Sequence, residues 1–337
     1  MGTSPASTIS SVIKEYLEVV KLARSHNTLL TYGKALKEFK KVLLKAKIDP
    51  ETSPADILTE DMISKFVMHL KSFSPATEQL YVRALARFYK YLAAERLAEV
   101  NLPRMDLLIE QRIRKPGIRL PQFPTSEIEQ VLEFVSNPSS LSTESETERL
   151  RATRDRAFLI TLADTGLRVH EACNLRRGDL DWNEGRAIII GKGDKQAVVR
   201  FTTRAMHALK DYLSLRAVLD GGSGKQLTAL PLFARHDKGS GKKIKPITPT
   251  TGRNIVAERV KQGLGDKAEG HITPHSFRHY FVSTILRSSG NLKLAQALAR
   301  HENIQITQRY AHIDDDELDQ GYYEIFEKNP RGKVRSD

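Results

Sequence analysis

Apolar side chains recur every three or four positions through the first hundred residues, a spacing that predicts helices. Ile13, Tyr16, Leu17 and Val20 share one face of a helix over about 8–23. Leu29, Tyr32, Leu36, Phe39 and Val42 do the same over about 28–46, flanked by lysines. Thr59 ahead of Glu60 and Asp61 signals a third start, because a hydroxyl can satisfy an orphan N–H and acids suit a helix N-terminus. Ser74-Pro75 signals a fourth, with Leu80, Leu85, Phe88 and Leu92 apolar and Arg83, Arg87 and Lys90 among them. The aromatic residues keep helical spacing and belong to the core of this bundle of about four helices.

The periodicity breaks over 100–124, where four prolines, one glycine and the basic residues Arg112, Arg114 and Lys115 predict a linker. Such a segment either follows a phosphate backbone or is a solvated connector. Ser126 and Glu129 match a capping box and open a second domain. A helix over about 151–165 ends at Gly166. Residues 186–202 change period: Ile188 to Ile190 and Ala197 to Val199 are β-prone runs about a Gly193-Asp194 turn, the pattern of a hairpin. Glycine- and lysine-rich loops are expected at 220–225 and 237–245, then mostly helix to about Phe326. The expected organisation is a helical domain over 1–100, a basic linker over 101–124, a mixed α/β domain over 125–328 ending in a helix, and a disordered tail over 329–337. The fold class is mostly α with a small β-sheet.

Charge changes the picture. The 337 residues carry a formal net charge of +12, which favours a polyanionic partner, nucleic acid first and an anionic membrane surface second. Residues 1–117 hold 19 Lys and Arg against 13 Asp and Glu, and the remainder 34 against 28, so the excess is shared rather than packed into a tail. The lone Cys173 excludes an intrachain disulfide and a cysteine-rich zinc site. No apolar run is long enough to span a bilayer, and the N-terminus lacks the basic region and apolar core of a signal peptide. These features predict an intracellular, cytoplasmic protein associated with the nucleoid and not with a membrane.

Candidate chemistry lies in four short stretches. TGLRVHE at 165–171 places Arg168 just past a helix end, with Glu171 three positions on. GKGDK at 191–195 places Lys192 and Lys195 on either side of a tight turn. TPHSFRH at 273–279 opens a helix, with Thr273 able to cap it and Pro274 in the first position. His275, Arg278 and His279 then fall on one face. A helix N-terminus already carries positive partial charge, so an arginine beside it asks for an anion, and phosphate is the obvious one. LARHENIQITQRY at 298–310 supplies His301 and Tyr310.

These four stretches, in this order, resemble the tyrosine recombinase (phage-type integrase) family, especially its Xer-like members. The resemblance covers about 120–325, while the N-terminal helices fit the family's core-binding domain in outline. It implies a site-specific recombinase that breaks a DNA phosphodiester by attack of Tyr310 on phosphorus, forming a 3′-phosphotyrosyl bond and freeing a 5′-hydroxyl. A tyrosine of ordinary pKa, about 10, needs a base or strong charge stabilisation to do this. Arg168 and Arg278 would clamp the non-bridging oxygens, with His301 donating to the same phosphate, so neither metal nor ATP nor another cofactor is required. His275 would act as general base toward Tyr310 or assist in proton transfer. Lys192 would protonate the leaving oxygen, with Lys195 the rival. Glu171 either holds a catalytic arginine or makes a surface salt bridge; His279 either buttresses the site or points into the core. The expected partners are double-stranded DNA and three further copies of the chain, a homo-tetramer working on two duplexes through a Holliday junction. The helix after Tyr310 docks on a neighbouring subunit or on its own domain.

Two departures stand out. His170 replaces the small residue common after the arginine and its neighbour, and Arg300 occupies the position before His301 where the family usually has glycine. Neither removes a catalytic group, but they weaken the reading of a housekeeping Xer protein as against a recombinase of a mobile element, and the sequence leaves that choice open. The alternatives are type IB topoisomerase-like relaxation of one duplex, a non-catalytic DNA-binding protein of the same fold, and a metal-dependent phosphoesterase built on His275, His279 and His301.

Overall fold

Helices of the first stretch begin where side chains can cap them. In the computed structural model, which describes residues 7–114, 124–137, 145–190, 196–236, 244–268 and 270–301, the chain divides into two units between Arg119 and Leu120. In the first unit, Thr8 caps α1 (Ile9–Ala23) and Ser25 caps α2 (His26–Lys45). α3 (Asp61–His69) starts without a side-chain cap, and Ser74 caps α4 (Pro75–Ala94) with Pro75 in its first turn. Their apolar faces meet in one core that includes Val12, Tyr16, Leu36, Phe39, Phe66, Leu85 and Phe88.

Of the linker expected over 101–124, the described part up to residue 114 is corrected, and residues 115–123 lie outside the described residues. Residues Leu102–Arg112 form a fifth helix, α5, capped by Asn101 and burying Met105 and Leu108. Pro103 lies in its first turn, where a missing N–H costs nothing, so this proline starts a helix instead of breaking one. The chain beyond α5 is also tied down. Glu78 is fully buried, and Arg114 bonds to it through Nε at 2.5 Å while donating from Nη2 to the Phe73 carbonyl at 2.6 Å. Lys71 reaches both Glu78 and the Arg112 carbonyl. The charge of Arg114 is therefore answered inside the protein. Lys115 lies outside the described residues.

The second unit is built around α7 (Glu146–Thr165). Residues 157–163 of α7 are buried without a break, which requires neighbours on every side. α6 (Thr125–Ser136), α8 (Val169–Asn174), α9 (Thr203–Leu215), α11 (Pro249–Leu264) and α12 (Pro274–Ser289) supply them. α10 (Ala217–Gly221) extends α9, and α13 (Leu292–Ala299) packs on α12. Ser126 does not cap α6; its hydroxyl turns to Glu127, because the helix begins one residue earlier, at Thr125. The sheet is antiparallel, in the order β1 (Leu180–Asp181), β2 (Arg186–Ile190), β3 (Gln196–Arg200), and pairs Ile188 with Val198. The turn between β2 and β3, with Lys192 and Lys195, lies outside the described residues. So do Tyr310, the expected C-terminal helix and the tail.

Within α7, Asp155 holds two buried arginines. Arg154 donates to one carboxylate oxygen and Arg259 of α11 to the other. The pair of guanidinia is stable in the core because both find the same anion.

Candidate active site

Gly166 ends α7 in the left-handed conformation, with φ of 59°, and a Cβ there would collide with the Phe281 ring of α12. Glycine is thus required twice over. The close approach brings the residues after α7 against the start of α12, where the capping signals read from sequence operate: Pro274 lies in the first turn and the Thr273 N–H donates to Ser276 Oγ at 3.1 Å.

Arg278 then joins three distant parts of the chain. Its side chain is only 2% exposed. Nη1 donates to the Gly166 carbonyl at 2.5 Å and Nη2 donates to the Ala299 carbonyl at the end of α13. One guanidinium thereby fixes the Arg168 segment, the start of α12 and the approach to His301 relative to one another.

Arg168 occupies the N-cap of α8. Glu171 accepts its backbone N–H at 2.9 Å and its Nη1 at 2.8 Å, which locks the turn and the side chain together. The carboxylate is 2% exposed and the Arg168 side chain 44%, so the pair is not the surface salt bridge that sequence left open. Arg300 completes the link, donating from Nη2 to Glu171 Oε2 at 3.2 Å. Burial alone would raise the Glu171 carboxyl. Hydrogen bonds from the Arg168 backbone and side chain, with the charges of Arg300 and Arg168, outweigh it and hold the group below the ordinary carboxylate range.

The three histidines feel the same positive field. His275 is exposed at the helix start, and its ring packs edge-on against half-buried His279 with centroids 4.2 Å apart. Although the residue keeps exposed surface, partial withdrawal of the ring from water first, then the charges of Arg278 and Arg168, lower the His275 pKa. His301 is buried; burial, Arg278 and Arg168 push it down to about 4. His279 also falls to about 4, through burial and the nearness of His275 and Arg278. The His279 and His301 rings are therefore neutral at pH 7, and His275 is shifted in the same direction. A neutral imidazole can accept a proton at one nitrogen and donate a hydrogen bond from the other.

These shifts give stability a predicted pH dependence. The unfolded chain protonates His279 near 6.5, whereas the folded chain resists until about 4. The unfolded state therefore binds more protons between those values, and the stability present above 6.5 is lost as pH falls through that window. The denaturation midpoint of the wild type is expected to drop between pH 7.5 and 5, with a smaller drop for His279→Gln. Equal drops would remove His279 as a cause.

Arg168, Glu171, His275, Arg278, His279 and His301 thus come together, although 133 positions separate the first from the last. Arg300, noted from sequence as a departure, belongs with them. Lys192, Lys195 and Tyr310 lie outside the described residues. What the described groups can do chemically is surround one anion with guanidinium and imidazole donors. No helix among the described residues is long and apolar enough to cross a membrane.

The chain is similar to known proteins along most of its length. A family model described as Phage integrase family matches residues 124–317, and one described as Phage integrase, N-terminal SAM-like domain matches 13–96. Tyrosine recombinase XerC of Thermodesulfovibrio yellowstonii is 30% identical over 305 residues, which cover 90% of this chain and 91% of the relative. Among solved structures, XerH site-specific recombinase in a post-cleavage complex with a palindromic difH substrate gives a TM-score of 0.66 at 20% identity, covering 94% of this chain and 85% of that one. The Tn1549 transposon integrase with transposon right-end DNA gives 0.66 at 18% identity, covering 95% of this chain and 100% of that one. At those identities the structures establish the shared fold.

Proposed function

The chain belongs to the phage integrase family, and on that premise we propose that it is a tyrosine site-specific recombinase that cleaves and rejoins double-stranded DNA. The observation that carries this reading is the convergence of Arg168, Arg278 and His301 with His275 in the second unit.

Tyr310 Oη attacks the scissile phosphorus. The Oη–P bond forms, the bond from phosphorus to the 5′-oxygen breaks, and the DNA 3′ end is left on the enzyme. The Tyr310 proton passes to His275, whose pKa is shifted toward the uncharged ring that can accept it. The leaving 5′-oxygen takes a proton from Lys192, with Lys195 the other candidate on the same turn. Arg168 and Arg278 face the charge that gathers on the non-bridging oxygens, and neutral His301 adds a hydrogen bond without carrying a charge of its own. A 5′-hydroxyl from a second duplex reverses the step and joins the strands. The phosphotyrosyl bond conserves the energy of the broken diester, so the cycle needs neither ATP nor a metal. Four copies on two duplexes would carry the reaction through a Holliday junction, with the basic first unit gripping DNA, in a DNA-bound, nucleoid-associated setting.

The alternative of topoisomerase-like relaxation uses the same chemistry and differs in where it cuts. Protein-linked DNA recovered from cells in SDS and EDTA, sequenced at its ends, is expected to map to discrete paired sites. Scattered ends would favour relaxation of single duplexes instead.

A further inference from the structure

Arg300 stands where glycine would be at ease. It caps α13 with φ of 56° and ψ of 44°, a left-handed conformation that side-chain-bearing residues adopt rarely. Two other non-glycine residues among those described, Lys47 and Arg96, also have positive φ, but both are exposed. The Arg300 side chain is 13% exposed and aimed at Glu171. That carboxylate is shared three ways. Oε2 accepts the Arg168 backbone N–H and Arg300 Nη2, while Oε1 accepts Arg168 Nη1.

We propose that Arg300 is a positioning residue for Arg168: by occupying Glu171 Oε2, it keeps the carboxylate from gripping the Arg168 guanidinium with both oxygens. A carboxylate and a guanidinium prefer a two-pronged match. Arg168 and Glu171 lie three positions apart on one turn; without Arg300, Oε2 would keep the Arg168 backbone N–H and have its second acceptor position free for another N–H of the Arg168 guanidinium. Arg300 blocks it, so Arg168 is held at one nitrogen and the rest of its fork remains turned to solvent, consistent with its partial exposure. The same shared anion offsets the repulsion between two arginines placed side by side. This inference rests on the assignment of Arg168 to the phosphate site, but the geometry it predicts can be measured without DNA.

The test compares wild type, Arg300→Gly and Arg300→Lys. Glycine suits the left-handed cap, so the melting temperature of Arg300→Gly is expected to stay level or rise. Its Arg168 side-chain ¹⁵N signals, assigned by their loss in Arg168→Lys, are expected to shift as the grip of Glu171 becomes two-pronged. Single-turnover cleavage of a nicked duplex carrying an end sequence recovered from wild-type adducts is expected to slow by about tenfold or more, the scale of a misplaced catalytic group. Arg300→Lys, whose ammonium still reaches a carboxylate, should recover part of the rate. Unchanged Arg168 signals in Arg300→Gly, or wild-type cleavage by it, would overturn the proposal. A wild type that forms no adduct would count against the recombinase reading, and the Arg168 signals would still decide the geometry.

Discussion

Arg278→Lys is expected to cut the rate of strand cleavage by about 10²–10³-fold, the loss seen when one donor to a developing oxyanion is removed. The planar guanidinium donates to the Gly166 and Ala299 carbonyls at once, and both bonds orient it. A lysine keeps the charge but offers one compact ammonium, which cannot hold two carbonyls and present a flat edge to a phosphate. Arg278→Ala goes further. It leaves two carbonyls without their donor in the interior, at about 1–3 kcal/mol each. The two substitutions therefore separate chemistry from architecture. Single-turnover cleavage of a nicked duplex, read beside the melting temperature, should find Arg278→Lys slow but folded and Arg278→Ala both slow and destabilised. Full cleavage by Arg278→Lys would show that the residue only braces the fold.

That double role could not be read from the chain. The three- and four-residue spacings in HSFRH put His275, Arg278 and His279 on one helical face, and the Thr-Pro signal located the helix start. But the same spacing suggests an exposed cation. Arg278 is buried because its anchors come from residues 112 and 21 positions away, which no local pattern reports. Glu171 was legible as a neighbour of Arg168, since both lie on one turn; its bond to Arg300 spans 129 positions and was not. The N-terminal helices were legible for the opposite reason. Thr8 and Ser74 lie next to the helices they cap, and apolar spacing within each helix marks the buried face. α5 was missed because the prolines of 100–124 dominated the reading, although Asn101 and Pro103 are also start signals and Met105 and Leu108 are three apart. Arg114, likewise, reads as one of a basic run until Glu78, 36 positions earlier, is seen to take its charge. The sequence patterns with local causes were readable, and those with tertiary causes were not.

Tyr310→Phe is expected to abolish the covalent bond to DNA altogether. The substitution removes one oxygen and keeps the ring, so the side chain stays nearly the same in size while the atom that would attack phosphorus is lost. DNA binding and the melting temperature should stay near wild type, because the arginines and histidines that would hold the phosphate are untouched. Tyr322 and Tyr323 retain their phenols and serve as internal controls, since neither lies at the spacing from His301 that the resemblance requires. The most direct measurement is therefore to express wild type and Tyr310→Phe side by side, denature the cells in SDS, and recover protein-linked DNA in EDTA. The account predicts an adduct in wild type, on a peptide containing Tyr310, and none in Tyr310→Phe. An adduct of equal yield in Tyr310→Phe would contradict it.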